Sequence, residues 1–113
     1  MRHVLKLRPK YFECIKNGSK IIELRLLDEK RQKIKIGDEV EFLKEPELKE
    51  NLITKVCGLL IYPSFEDILE DYPISYFSDD NTTKEELLES LNTFYSKEQQ
   101  EEYGIVGIRI KLI

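Results

Sequence analysis

The run LITKVCGLLIY, residues 52–62, is long, rich in β-forming residues and broken by a glycine at position 58. A strand of that kind needs a bulge or a sharp bend where the glycine stands, and small barrels are built with such devices. The other β-patterned runs are HVLKLR at 3–8, residues 19–27, residues 39–43 after the Gly37-Asp38 turn, and the closing GIVGIRIKLI. In the last, Val106, Ile108, Ile110 and Leu112 face one way, and Arg109 and Lys111 the other.

Helical signals fall between these runs. Pro9 suits a first helical turn, Tyr11, Phe12 and Ile15 follow at helical spacing, and Gly18 is a natural stop. Residues 44–51 read as a loop. Ser64 with Asp67, and Thr83 with Glu86, resemble capping boxes. The first opens a helix to about Asp71 that Pro73 ends. The second precedes Leu87, Leu88, Leu91 and Phe94. Ser96 with Gln99 marks a short last helix that Gly104 stops. The main order is β-α-β-β-β-α-α-β, which does not alternate as a doubly wound parallel sheet does. The expectation is one α+β domain: a small, mostly antiparallel barrel or curved sheet of about five to six strands, with helices at its ends.

The chain has 113 residues, room for one core. No apolar run approaches the roughly 20 residues that span a bilayer. MRHVLKLRPKYF lacks the uninterrupted apolar stretch of a signal peptide, so a cytoplasmic location is expected. Two cysteines, Cys14 and Cys57, without a CxxC and with His3 the single histidine, do not make a zinc site. They read as two small buried hydrophobes. His3 reads as a partly exposed structural residue.

Net charge is -4, but residues 1–36 hold eleven Lys/Arg against four Asp/Glu. Either that third forms a basic face that attracts phosphate, or folding interleaves the charges into a mixed surface. Lys30, Arg31, Lys33 and Lys35 are its densest cluster.

The stretch NGSKIIELR, residues 17–25, carries three charges inside a β-patterned run. Ile22, Leu24 and Leu26 share one face, and Glu23 and Arg25 share the other. Lys20 sits just past the Gly18 turn, within reach of the same space. Arginine suits two-point contact with phosphate or a carbonyl edge, and glutamate accepts from a base amino group. A solvated surface pair and a ligand pocket both fit these residues. Lys10 and Tyr11 begin the first helix beside this turn and would rim such a pocket. Tyr76 and Phe77 either stack on a base or pack their loop onto the barrel. There is no glycine-rich phosphate loop and no Ser-His-Asp order, so no cofactor is expected.

The pattern G-x-K-x-x-E-x-R, here Gly18, Lys20, Glu23 and Arg25, resembles the signature of the ASCH domain family (activating signal cointegrator homology). The opening strand and helix with Phe12 and Ile15, the turn-strand at Ile36–Val40 and the closing YGIVGIRI at Tyr103–Ile110 fit it too. The resemblance covers nearly the whole chain. It implies a PUA-like barrel whose ends are plugged by helices, with the signature in a cleft that binds RNA or a nucleotide. Lys20, Glu23, Arg25, Lys10, Tyr11 and Arg31 are then the expected ligand contacts. Some relatives are described as ribonucleases, and no matching catalytic set stands here. Others are small amidohydrolases that deacetylate N4-acetylcytidine with a lysine, a threonine and a glutamate. The lysine corresponds to Lys20 and the threonine to Glu23. The glutamate falls in a loop where the nearest acid is Asp80. Glu23 has no hydroxyl, so the nucleophile is missing, and its carboxylate would have to act as a base toward water.

Overall fold

The computed structural model describes residues 1–113. Five strands form one sheet in the order β1-β3-β4-β5-β2. They are β1 (Arg2–Leu7), β2 (Ile22–Leu26), β3 (Glu39–Lys44), β4 (Asn51–Tyr62) and β5 (Ile105–Leu112). β1 runs parallel to β3, and every other pairing is antiparallel. The sheet curls into a half-barrel but does not close, so β1 and β2 remain as its two free edges. Four helices accompany it: α1 (Pro9–Lys16), α2 (Phe65–Asp71), α3 (Lys84–Phe94) and α4 (Lys97–Tyr103). No helix is long and apolar enough to cross a membrane.

The bend in β4 lies where glycine predicts it. The register between β4 and β5 slips between Val56 and Gly58. The slip leaves Cys57 as the bulged residue, and its side chain is exposed, whereas Cys14 is buried. The reading of two buried cysteines therefore holds for Cys14 only. A bulge residue loses its place in the alternation, and burial cannot be read from pattern there.

The capping signals are realised. The Ser64 hydroxyl accepts from the Asp67 N–H at the start of α2. Thr83 with Glu86, and Ser96 with Gln99, each form reciprocal capping boxes. The Ser96 and Gln99 signal opens α4, a helix of seven residues that ends at Gly104, so three helices separate β4 from β5 and the order gains one helix. The chain leaves it through Gly104 at φ 70°, a left-handed conformation that favours glycine.

Two apolar clusters cover the two faces of the sheet. One holds Leu5, Leu7, Phe12, Phe42, Val106 and Ile108 inside the curl. The other holds Ile22, Leu24 and Leu26 against Phe65, Ile68 and Phe77, and it is closed by α2, α3 and the turn before α3. β2 is thus buried on both faces. Ile22, Leu24 and Leu26 point away from the curl, toward the helices. Glu23 and Arg25 stand opposite Ile108 and Val106, and cross-strand partners share a face, so these charges point inward.

Candidate functional site

Gly18 begins the construction. Its φ of 90° lets the chain reverse after α1. The Lys20 N–H then donates to Cys14 O at 3.0 Å, and the Ile21 N–H to Tyr76 O at 2.8 Å. The Ser19 hydroxyl donates to Ser78 O at 3.0 Å. Residues 19–21 are stitched in this way between the end of α1 and the turn before α3. Lys20 is forced inward and is only 5% exposed.

Its ammonium donates to Phe77 O at 2.9 Å and lies 5.2 Å from the centre of the Tyr11 ring. It also stands 3.0 Å from Glu23 Oε1. The second carboxylate oxygen, Glu23 Oε2, accepts from Arg25 Nε at 2.7 Å. Arg25 Nη2 donates to Lys6 O at 2.8 Å. Lys6 lies on β1 and Arg25 on β2, so one guanidinium ties together the two edges that the sheet leaves unpaired. Nη1 makes no hydrogen bond within the protein and is not sealed off from solvent.

Burial would raise the Glu23 carboxyl, but the Lys20 ammonium and the Arg25 guanidinium outweigh it and hold the group below the ordinary carboxylate range. For Arg25, burial would lower the value, and the Glu23 charge more than restores it. The Glu23 carboxylate therefore stands ionised between Lys20 and Arg25.

A cavity of about 630 Å³ opens onto this trio along the unclosed seam. Its floor is Lys20, Glu23 and Arg25, and its walls include Tyr11 from α1, Glu45 and Pro46 after β3, and Leu91 and Phe94 from α3. That volume lies within the usual range for small-molecule sites. Arg8 stands at the mouth, with Cζ 5.4 Å from the Tyr11 ring centre and 5.0 Å from that of Phe94.

Among the residues expected at a site, Lys20, Glu23, Arg25 and Tyr11 line this cavity. Lys10 lines an adjoining hollow and donates to Thr82 Oγ1 at 2.7 Å. Arg31 lines neither cavity and is paired with Asp28 at 3.0 Å. Asp80 is exposed and lines neither cavity, so Lys20 and Glu23 have no third acid beside them from that loop. Phe77 is fully buried, and it is the carbonyl of this residue that holds Lys20. Lys6, Arg8, Glu45, Ser90 and Tyr95 also line the cavity and were not singled out from the sequence. Phe94, which follows Leu87, Leu88 and Leu91 on α3, is 62% exposed at the cavity mouth. A large aromatic at the end of an amphipathic helix was the one available signal.

The ASCH domain model matches residues 5–113. The chain therefore belongs to the ASCH domain family. Its fold is similar to the crystal structure of hypothetical protein PH0355, at 38% identity and TM-score 0.87 over 100% of both chains. It is also similar to the solution structure of protein PF0455 from Pyrococcus furiosus, at 33% identity and TM-score 0.79, covering 100% of this chain and 98% of that one. No curated protein matches the chain.

Proposed function

We propose that this ASCH domain binds a nucleotide, free or within single-stranded RNA, in the seam cavity, with the Lys20–Glu23–Arg25 trio as its recognition floor. One observation carries this reading: the three signature charges converge at the bottom of one concave, partly aromatic space instead of dispersing over the surface. Arg25 is fixed at two points and keeps Nη1 for a ligand acceptor. Tyr11, Tyr95 and Phe94 supply flat apolar surface for a base.

The test is titration of short single-stranded RNAs and free nucleotides at roughly 50 mM salt, where phosphate contacts are strong. Wild type is compared with Arg25→Ala and Lys20→Ala, each checked by circular dichroism. Binding that weakens in both variants supports the proposal. Absence of binding, or equal binding by folded variants, refutes it.

A hydrolase acting on a modified nucleoside is the second reading, favoured by the direct Lys20–Glu23 contact. Two features weigh against it. Glu23 is held ionised by two cations, which weakens it as a base toward water. Asp80 stands outside the cavity. Incubation with N4-acetylcytidine followed by chromatography decides it, since deacetylated product above background is required.

A further inference from the structure

Beside the seam cavity lies a second hollow of about 340 Å³. Lys10, Thr82 and Glu86 belong to it alone, while Arg8, Tyr11 and Ser90 line both. Arg8 is thus the charged part of the partition. Its guanidinium stands between the rings of Tyr11 and Phe94, and its one hydrogen bond, from Nη2 to Ser90 Oγ at 3.2 Å, goes to a neutral hydroxyl.

The electrostatics of this corner run against the rest of the molecule. The chain has 22 carboxylate residues against 18 cations, and Arg8 and Lys10, like most of those cations, have no ion-pair partner. The carboxylates nearby make no ion pair with either cation, although the Lys10 charge is among the influences that lower Asp79. Glu86 Oε1 accepts from the Thr83 N–H and hydroxyl in the α3 capping box, and Asp79 Oδ1 accepts from Thr82 and the Asn81 N–H. Lys10 uses one of its donors on Thr82. Across both hollows, five cations (Lys6, Arg8, Lys10, Lys20 and Arg25) face three carboxylates (Glu23, Glu45 and Glu86). An acidic protein has made a positive, two-chambered recess.

We propose that the two hollows are one site for a phosphorylated nucleotide, with the ring system in the larger chamber and the phosphate in the smaller one, held by Arg8 and Lys10. The proposal rests on the nucleotide-binding reading above and adds the phosphate to it. Arg8 is the coupling element. A phosphate offers its fork two parallel acceptors and a full charge in place of one hydroxyl. When the guanidinium turns toward that phosphate, the space between Tyr11 and Phe94 is freed for a flat ring. The phosphate belongs either to a free mononucleotide or to one residue of an RNA chain.

The experiment is calorimetric titration of the whole chain with the four ribonucleosides, their 5′- and 3′-monophosphates, a short single-stranded RNA, and inorganic phosphate alone. Each is repeated on Arg8→Gln, Lys10→Gln and the double variant, all with exposed side chains and all checked for folding. The expected result is that a monophosphate, or the RNA, binds roughly tenfold or more tightly than the matching nucleoside, the scale of a charge-assisted hydrogen bond. In the double variant that ratio falls to near one. Preference for the monophosphate identifies a free nucleotide as the ligand, and preference for the RNA identifies a chain. If nucleosides bind as tightly as their phosphates, or if the double variant keeps the ratio, the phosphate chamber is refuted while nucleoside binding stands. If none of the probes binds, both this inference and the reading beneath it fall.

Discussion

Replacing Glu23 by glutamine tests the trio at its centre. The side chain keeps its shape but loses its charge. Glu23 is 4% exposed and neutralises Lys20 at 3.0 Å and Arg25 at 2.7 Å. An amide presents one acceptor, so one cation would face an N–H₂ group where a carboxylate oxygen stood. Either Lys20 would keep only Phe77 O and the Tyr11 ring, or Arg25 would keep only Lys6 O. Removing one partner of a buried pair costs about 3–5 kcal/mol, because a charge is left in a poor solvent. The cavity admits some water to Arg25, so the expected loss lies near about 3 kcal/mol, a large part of the roughly 5–15 kcal/mol that holds a domain together. Urea denaturation followed by far-ultraviolet circular dichroism measures it, with the slope unchanged and the midpoint lowered. The pH dependence has a defined sign. The folded Glu23 carboxyl lies below its ordinary value of 4.5, so its contribution is complete above that pH and is lost as pH falls through the folded value. The difference between wild type and variant should therefore be full at neutral pH and shrink in acid. A second variant, Lys20→Met with Glu23→Leu, removes Glu23 together with one of its two counter-charges, leaves only Arg25 without its carboxylate, and should lose less than Glu23→Gln alone. A loss under about 1 kcal/mol for Glu23→Gln would mean that the trio is solvated like a surface pair, and the reasoning would be wrong.

Three further outcomes are expected. Gly107→Ala places a Cβ 2.7 Å from Ile68 Cδ1 and 3.0 Å from Ile22 Cγ2, so thermal denaturation should show a loss of about 1–3 kcal/mol from overpacking between β5 and the helices. Thr83→Ala removes the hydroxyl that accepts from the Glu86 N–H, and the urea midpoint should fall by the equivalent of about 1 kcal/mol. Asp38 is held at about 2, first by its hydrogen bond with His3 and then by the Lys35 N–H. Its stabilising contribution is present above its ordinary 3.8 and lost as pH falls toward about 2, so an acid titration of stability should show wild type and Asp38→Asn converging over that window.

The strand runs, the caps and the bend at Gly58 were legible because each is a local matter of alternation or a single residue's chemistry. The orientation of β2 was not. A period of two separates Ile22, Leu24 and Leu26 from Glu23 and Arg25, but it does not say which set faces the inside of a curled sheet. The apolar set packs outward beneath α2 and α3, and the charged set points in. The burial of Lys20 depends on the distant carbonyl of Phe77, which no local pattern reveals. The closure of the sheet was also beyond reach. The seam stays open because β1 pairs only with β3 and β2 only with β5, and that gap is what makes room for the cavity. Arg8 and Ser90 become neighbours only when α1 and α3 meet over the seam.

The most direct measurement is a nuclear magnetic resonance titration of the isotopically labelled chain with short single-stranded RNA and nucleoside monophosphates. The account predicts saturable shifts of the Arg25 side-chain Nε–H and of the Tyr11, Leu91 and Phe94 amides around the seam cavity. Shifts confined to the Lys30, Arg31, Lys33 and Lys35 cluster, with the Arg25 resonance unmoved, would contradict it.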